Sequence, residues 1–172
     1  MTSEPFATTL GRSSASRLEW MSARGSIAGC VAVVLFATVS VIGWFTSGAD
    51  AEGLERLAFA APTVFAIAFA VRVVGTLPFS KPPGVGRTIA ADVVVVVAAL
   101  VFIVIVGSIG DGSGVASYSG IIMGMFLVPA TAVASLLSEI VRRIPWLTRV
   151  AVIAAIVIGV AVLGVYARAL TG

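Results

Sequence analysis

Long apolar stretches alternate with short polar ones along the chain after its first 25 residues. Five of these stretches are long enough to cross about 30 Å of hydrocarbon as helices. They cover residues 26–46, 57–77, 88–110, 118–138 and 149–170. None is divided into the segments of alternating polarity that are typical of a transmembrane barrel. The pattern therefore predicts an all-α membrane protein, a five-transmembrane-helix bundle.

The links between the apolar stretches are short and rich in glycine, proline and charged residues. They read "SGADAEGLER", "PFSKPPGVGR", "DGSGVAS" and "EIVRRIPWLT". Because links of this length leave little room for a crossover, we expect consecutive helices to be antiparallel neighbours. No link is long enough for a domain outside the membrane.

The first 25 residues form a polar segment that precedes the predicted bundle, residues 26–170. Within it, "SRLEWMSAR" has the composition of a short interfacial helix that turns Leu18, Trp20 and Met21 towards lipid. A disordered tail is the alternative interpretation.

Basic residues indicate how the predicted bundle is oriented, because Lys and Arg are enriched in cytoplasmic segments. With a cytoplasmic N-terminus, five spans place only two basic residues in outer segments, Arg56 and Arg168. Eight then fall in inner segments: Arg12, Arg17, Arg24, Lys81, Arg87, Arg142, Arg143 and Arg149. The asymmetry predicts an N-terminus in the cytoplasm and a C-terminus outside.

Composition supports the membrane assignment and excludes a nucleic-acid partner. Of 172 residues, 59% are hydrophobic and only 11% charged, whereas soluble domains have about a quarter of their residues charged. The net charge of +3 comes from basic residues scattered among apolar runs, without the dense patch that nucleic acid requires. Arginine greatly outnumbers lysine, and alanine, glycine and valine are abundant, which favours a GC-rich bacterial source and the bacterial inner membrane.

Arg72 and Asp92 are charged residues that fall inside predicted spans, away from the span ends to which Arg149 and Arg168 belong. Each lies ten residues from Pro82, one before it and one after it. In an antiparallel hairpin, equal distances from the turn give similar depths. An unpaired charge at the centre of a membrane helix costs about 2.5–3.5 kcal/mol. We therefore predict an intramembrane ion pair between Arg72 and Asp92; the alternatives are separate solvation of the two groups at the interface and a role in an ion path.

Two further sets of residues are candidates for packing and membrane contact. The small residues Gly120 and Gly124, and likewise Ala155 and Gly159, recur at four-residue spacing, which allows close helix packing. Arg142, Arg143 and Trp146 stand in the polar link "SEIVRRIPW" and are candidates for contact with headgroups at the inner face.

The sequence lacks the residues that most catalytic and cofactor sites require. It contains no histidine and a single cysteine, Cys30. Neither a phosphate-binding loop nor a dinucleotide fingerprint is present. We therefore expect no enzyme activity, no cofactor and no metal.

Function follows only in outline from these patterns. Short links and few intramembrane polar groups favour a non-catalytic structural or accessory subunit of a larger bacterial membrane complex, with the lipid bilayer and other membrane subunits as partners. The alternative is a homo-oligomeric small transporter, channel or lipid-handling protein.

Overall fold

The computed structural model describes residues 5–47, 51–111 and 115–171, which form five α-helices and no strand. The helices are α1 (Pro5–Ser47), α2 (Ala51–Thr76), α3 (Val85–Asp111), α4 (Val115–Arg143) and α5 (Pro145–Thr171). Each predicted apolar stretch lies largely within one of these helices.

Four helices contain segments long and apolar enough to cross a membrane: Ser16–Thr46, Val85–Ile109, Gly124–Arg143 and Pro145–Arg168. The described apolar part of α2 is shorter, Ala60–Thr76, which gives about 26 Å of helix. The described chain is thus all-helical and has the character of a multi-pass membrane protein.

α1 extends further towards the N-terminus than the predicted first span. It begins at Pro5 and continues without a break to Ser47, so "SRLEWMSAR" is part of the same helix. Leu18 is 66% exposed, in line with a lipid-facing position, but Met21 is 3% exposed and faces the other helices. The apolar side of this segment is therefore divided between the bundle and its surroundings.

Close packing of α1 against α2 depends on two glycines at four-residue spacing. A Cβ placed on Gly25 would lie 2.9 Å from Cδ2 of Phe69, and one on Gly29 would lie 2.6 Å from Cε2 of Phe65. The two rings stack with centroids 6.2 Å apart. Because glycine has no side chain, the aromatic rings of α2 pack directly on the α1 backbone.

Two short connections lie at one end of the bundle, which we call the Lys81 end after the α2–α3 turn that contains Lys81. In that turn Leu77 and Phe79 donate backbone hydrogen bonds to Val74 and Thr76. At the same end, Ile144 alone separates α4 from α5. Pro145 suits the first position of a helix, where a backbone N–H has no intrahelical acceptor.

Large apolar side chains cover the outside of the described bundle. They are exposed along α3 (Val101, Phe102, Ile103, Ile105), α4 (Ile122, Met125, Phe126) and α5 (Ile153, Ile156, Val157, Val160, Leu163). A surface of this kind requires an apolar environment such as lipid or another membrane helix.

Candidate functional site

Arg72 and Asp92 lie side by side in the interior at the Lys81 end. Nη1 of Arg72 is 3.3 Å from Oδ2 of Asp92, and the two side chains are 1% and 3% exposed. α2 and α3 run antiparallel on either side of the turn, which brings both residues to one depth as their equal distances from Pro82 predicted. The structure therefore places the two charges in an ion pair that joins α2 to α3.

Glu139 of α4 is a second carboxylate partner of Arg72, and the sequence analysis did not identify it. Its Oε1 lies 3.4 Å from Nη1 of Arg72, and its side chain is 2% exposed. Glu139 also accepts hydrogen bonds from Arg142 Nε and Nη2, at 3.2 and 2.9 Å. One arginine of α2 thus binds acids from both α3 and α4.

Two serines of α4 complete the surroundings of the Arg72 guanidinium. Nη2 of Arg72 donates to the Ser135 carbonyl at 3.2 Å and also to the Ser138 hydroxyl. The Ser135 hydroxyl donates to Oδ2 of Asp92 at 2.7 Å. We call Arg72, Asp92, Ser135, Ser138 and Glu139 the buried cluster. It connects three helices through charge-assisted hydrogen bonds, the stronger kind of hydrogen bond in proteins.

Gly75 allows α2 and α3 to approach closely beside the buried cluster. A Cβ on Gly75 would lie 2.8 Å from Oδ1 of Asp92 and 3.4 Å from the backbone of Ala91 and Asp92. Oδ1 of Asp92 and Nε of Arg72 are buried without a hydrogen-bond partner among the described residues. Every other polar atom of the pair is engaged by a neighbouring helix.

The predicted headgroup residues are placed differently from one another. Arg143 is exposed, and Trp146 is 64% exposed near the start of α5. Arg142 is 38% exposed at its side chain, but it is bound to Glu139. Arg143 and Trp146 are thus free to meet headgroups, while Arg142 extends the buried cluster towards the surface.

The predicted packing residues differ in their surroundings too. A Cβ on Gly124 would meet Cδ1 of Leu100 at 3.3 Å, a close contact between α4 and α3. A Cβ on Gly159 would meet no atom within 4 Å, so packing of Gly159 against another helix stays a prediction. Ala155, one turn away in α5, is half-buried. Gly120 lies in α4 outside the residues whose surroundings the structure describes.

Arg24 of α1 is a further buried cation at the Lys81 end. It is 6% exposed, and both Nη1 and Nη2 donate to the Pro83 carbonyl at 3.4 Å, near the upper limit for a hydrogen bond. Its guanidinium carbon lies 5.4 Å from the centroid of the Trp20 ring. Arg24 takes no part in the ion pairs described above, although Glu139 and Asp92 lie within electrostatic range of it.

An apolar crevice of about 570 Å³ extends from the buried cluster towards the other end of the bundle. Its walls are side chains of α1, α2 and α4, and Arg72, Asp92 and Ser135 line one end of it. Several wall residues are also open to the outside, among them Val39, Ile67 and Val133 at 67, 55 and 53% exposure. The crevice therefore opens sideways between helices.

The buried cluster joins α2, α3 and α4 through ion pairs and hydrogen bonds. The described residues include no group of three histidine, cysteine or acidic side chains that could hold a metal ion. The hydroxyls of Ser135 and Ser138 are hydrogen-bonded to Asp92 and to the Ser135 carbonyl. They lie among arginines and carboxylates, without a histidine base to activate them.

Three features of this site were absent from the sequence analysis: Glu139 as a partner of Arg72, the burial of Arg24, and the packing of Gly25 and Gly29 against α2. The glycine pair had a signal, since "GSIAG" has the same four-residue spacing as the pairs that were singled out. Comparison of the chain with protein-family models, with curated proteins and with solved structures gives no match.

Proposed function

We propose that the chain is a five-span protein of the bacterial inner membrane and serves as a non-catalytic structural or accessory subunit of a larger membrane complex. Its N-terminus lies in the cytoplasm and its C-terminus outside. In this orientation the Lys81 end, with the buried cluster, faces the cytoplasm.

The pairing of the charged groups within the buried cluster supports this proposal. The acids of the buried cluster both bind Arg72, and its serines donate to Asp92 or to the α4 backbone. Away from that end, the crevice walls are apolar except for Thr131. These charges are ion-paired with one another and lie at only one end of the bundle. This supports a role in fixing helix positions rather than in moving ions across the membrane.

The exposed apolar faces support a role within an assembly. The exposed residues of α5 include Ile153, Ile156, Val157, Val160 and Leu163. Lipid alone can cover such a face, and so can a helix of another subunit. The described helices offer mainly these faces for contact with a partner.

The span count and orientation are tested by labelling single cysteines from each side of the membrane. In a Cys30→Ala background, cysteine replaces Lys81 in one variant and Gly172 in another. We expect a membrane-impermeant thiol reagent to label position 172 in intact spheroplasts and position 81 only after permeabilisation. Labelling of both positions from the same side would contradict the five-span arrangement.

The accessory role is tested by photocrosslinking in native membranes. A photoreactive amino acid replaces Ile156 or Val160 on α5, and Phe102 on α3 serves as the matched exposed position on another helix. We expect one of the two helices to form an adduct with a single protein of different sequence. Adducts with lipid alone at every position would reject the role, and adducts with further copies of this chain would favour a homo-oligomeric transporter, channel or lipid-handling protein.

A further inference from the structure

An empty apolar crevice inside a membrane is filled by whatever apolar material surrounds it. A volume of about 570 Å³ lies within the range of about 300–1,000 Å³ typical of ligand pockets. Its walls include Ala28, Ala32 and Ala68, whose small side chains leave the space open. Water would find few hydrogen-bond partners there. A lipid acyl chain fits both the apolar walls and the sideways opening.

The charges at the Lys81 end are not balanced, and the excess is positive. Arg72 and Arg142 are matched by Asp92 and Glu139 through ion pairs. Arg24 adds one buried positive charge within electrostatic range of the same two carboxylates, so that three arginines share two acids. A buried excess of positive charge is costly. One bound anion would neutralise it.

Arg24 does not line the crevice, but it precedes the first crevice residue of α1 by four positions. Ala28, which lines the crevice, is one turn further along the same face of α1, about 6 Å along the helix axis. An anion at Arg24 and a chain in the crevice would therefore belong to one molecule of modest length. Arginine matches phosphate well because its planar guanidinium can donate two parallel hydrogen bonds.

We propose that the crevice between α1, α2 and α4 binds one acyl chain of an anionic phospholipid, whose phosphate is held by Arg24. This inference uses the orientation given under the proposed function, which puts the site in the cytoplasmic leaflet. It does not depend on the accessory role. Basic pockets between membrane helices on this side are a recognised form of lipid site.

The test measures which lipid stays with the purified full chain. The protein is placed in nanodiscs of phosphatidylcholine that contain a minor fraction of phosphatidylglycerol, and retained lipid is counted by native mass spectrometry. We expect one phosphatidylglycerol per chain, enriched over its fraction in the nanodisc. Equal retention of the two lipids in proportion to their supply would overturn the proposal.

Two matched pairs of variants separate the headgroup from the chain. Arg24→Gln should lower the affinity for phosphatidylglycerol about tenfold, while Arg149→Gln, at an exposed site of the same end, should leave it unchanged. Ala68→Phe fills the crevice and should abolish retention, while Ala66→Phe, on the outside of α2, should not. Loss of affinity in Arg149→Gln to the same extent as in Arg24→Gln would indicate general charge attraction and overturn the site.

A measurement on the unaltered protein covers the case in which Ala68→Phe does not fold. Phosphatidylglycerol with a photoreactive group in its acyl chain is crosslinked and the adducts are mapped. We expect adducts at crevice residues such as Val64 and Ala134. Adducts spread over the exposed side chains of α3 and α5, with none at the crevice residues, would overturn the proposal. This outcome would not bear on the accessory role.

Discussion

Replacement of Arg72 by glutamine should lower the free energy of unfolding by about 3–5 kcal/mol, the usual cost of removing one partner from a buried ion pair. The substitution removes the ion-pair partner of Asp92 and one of the two ion-pair partners of Glu139, since Arg72 binds both acids at 3.3 and 3.4 Å. It also removes the donors to Ser135 and Ser138. Reversible unfolding in mixed detergent micelles measures the change.

A double-mutant cycle tells whether this loss comes from the Arg72–Asp92 pair. Asp92→Asn alone should also destabilise, and Arg72→Gln with Asp92→Asn should cost less than the sum of the single changes. Arg143→Gln is the control, because Arg143 is an exposed arginine at the same end. Strict additivity, or a loss in Arg72→Gln no larger than in the control, would show that the ion pair contributes little.

Replacement of Gly75 by leucine should have the second-largest effect, a loss of at least about 1–3 kcal/mol, as for other overpacked sites. A Cβ at this position already lies 2.8 Å from Oδ1 of Asp92 and 3.4 Å from the α3 backbone. The rest of the leucine side chain could fit only if α2 moved away from α3. That movement would stretch the Arg72–Asp92 pair, so the loss should exceed simple overpacking. Thermal unfolding in detergent detects it.

Gly159→Leu is the matched control for Gly75→Leu. Gly159 also lies within a helix, but a Cβ there has no neighbour within 4 Å. Since leucine has the higher helix propensity, the control should be neutral or stabilised by up to about 1 kcal/mol. Equal destabilisation in both variants would mean that helix backbone effects, not the close approach of α2 to α3, decide the outcome.

The pairing of Arg72 with Asp92 could be predicted because the two residues flank one short turn. Distance along the chain determines depth in an antiparallel hairpin, so the sequence itself contains the necessary geometry. The second partner, Glu139, lies 67 residues from Arg72. Its approach depends on how α4 packs against α2 and α3, which no local pattern specifies.

Helix packing was predicted less well than helix positions. Small residues at four-residue spacing are common in a glycine-rich chain, and spacing alone does not say which pairs meet another helix. Gly25 and Gly29 lie against Phe69 and Phe65, whereas Gly159 lies in open space. The difference arises from which face each helix turns inward, and that is a property of the assembled bundle.

The burial of Arg24 is a feature that the predicted topology does not reveal. In the predicted orientation Arg24 belongs to an inner segment, which agrees with the tendency of basic residues to lie inside, and this explanation is sufficient at the level of the sequence. The structure buries it to 6% exposure, one helical turn before the crevice residue Ala28. Burial of a cation is a three-dimensional property, and it turns a topological signal into a candidate binding residue.

The buried cluster also has a consequence for motion, because it lies at only one end of the bundle. Near the Lys81 end, helix separation would break ion pairs and expose buried charge. Towards the other end, exposed side chains such as Val39, Phe102 and Met125 are apolar, and hydrocarbon can replace apolar contacts between helices at little cost. The far ends should therefore open and close often while the near ends stay joined, and backbone amides of α3 should exchange with deuterium faster near Val106 than near Val96.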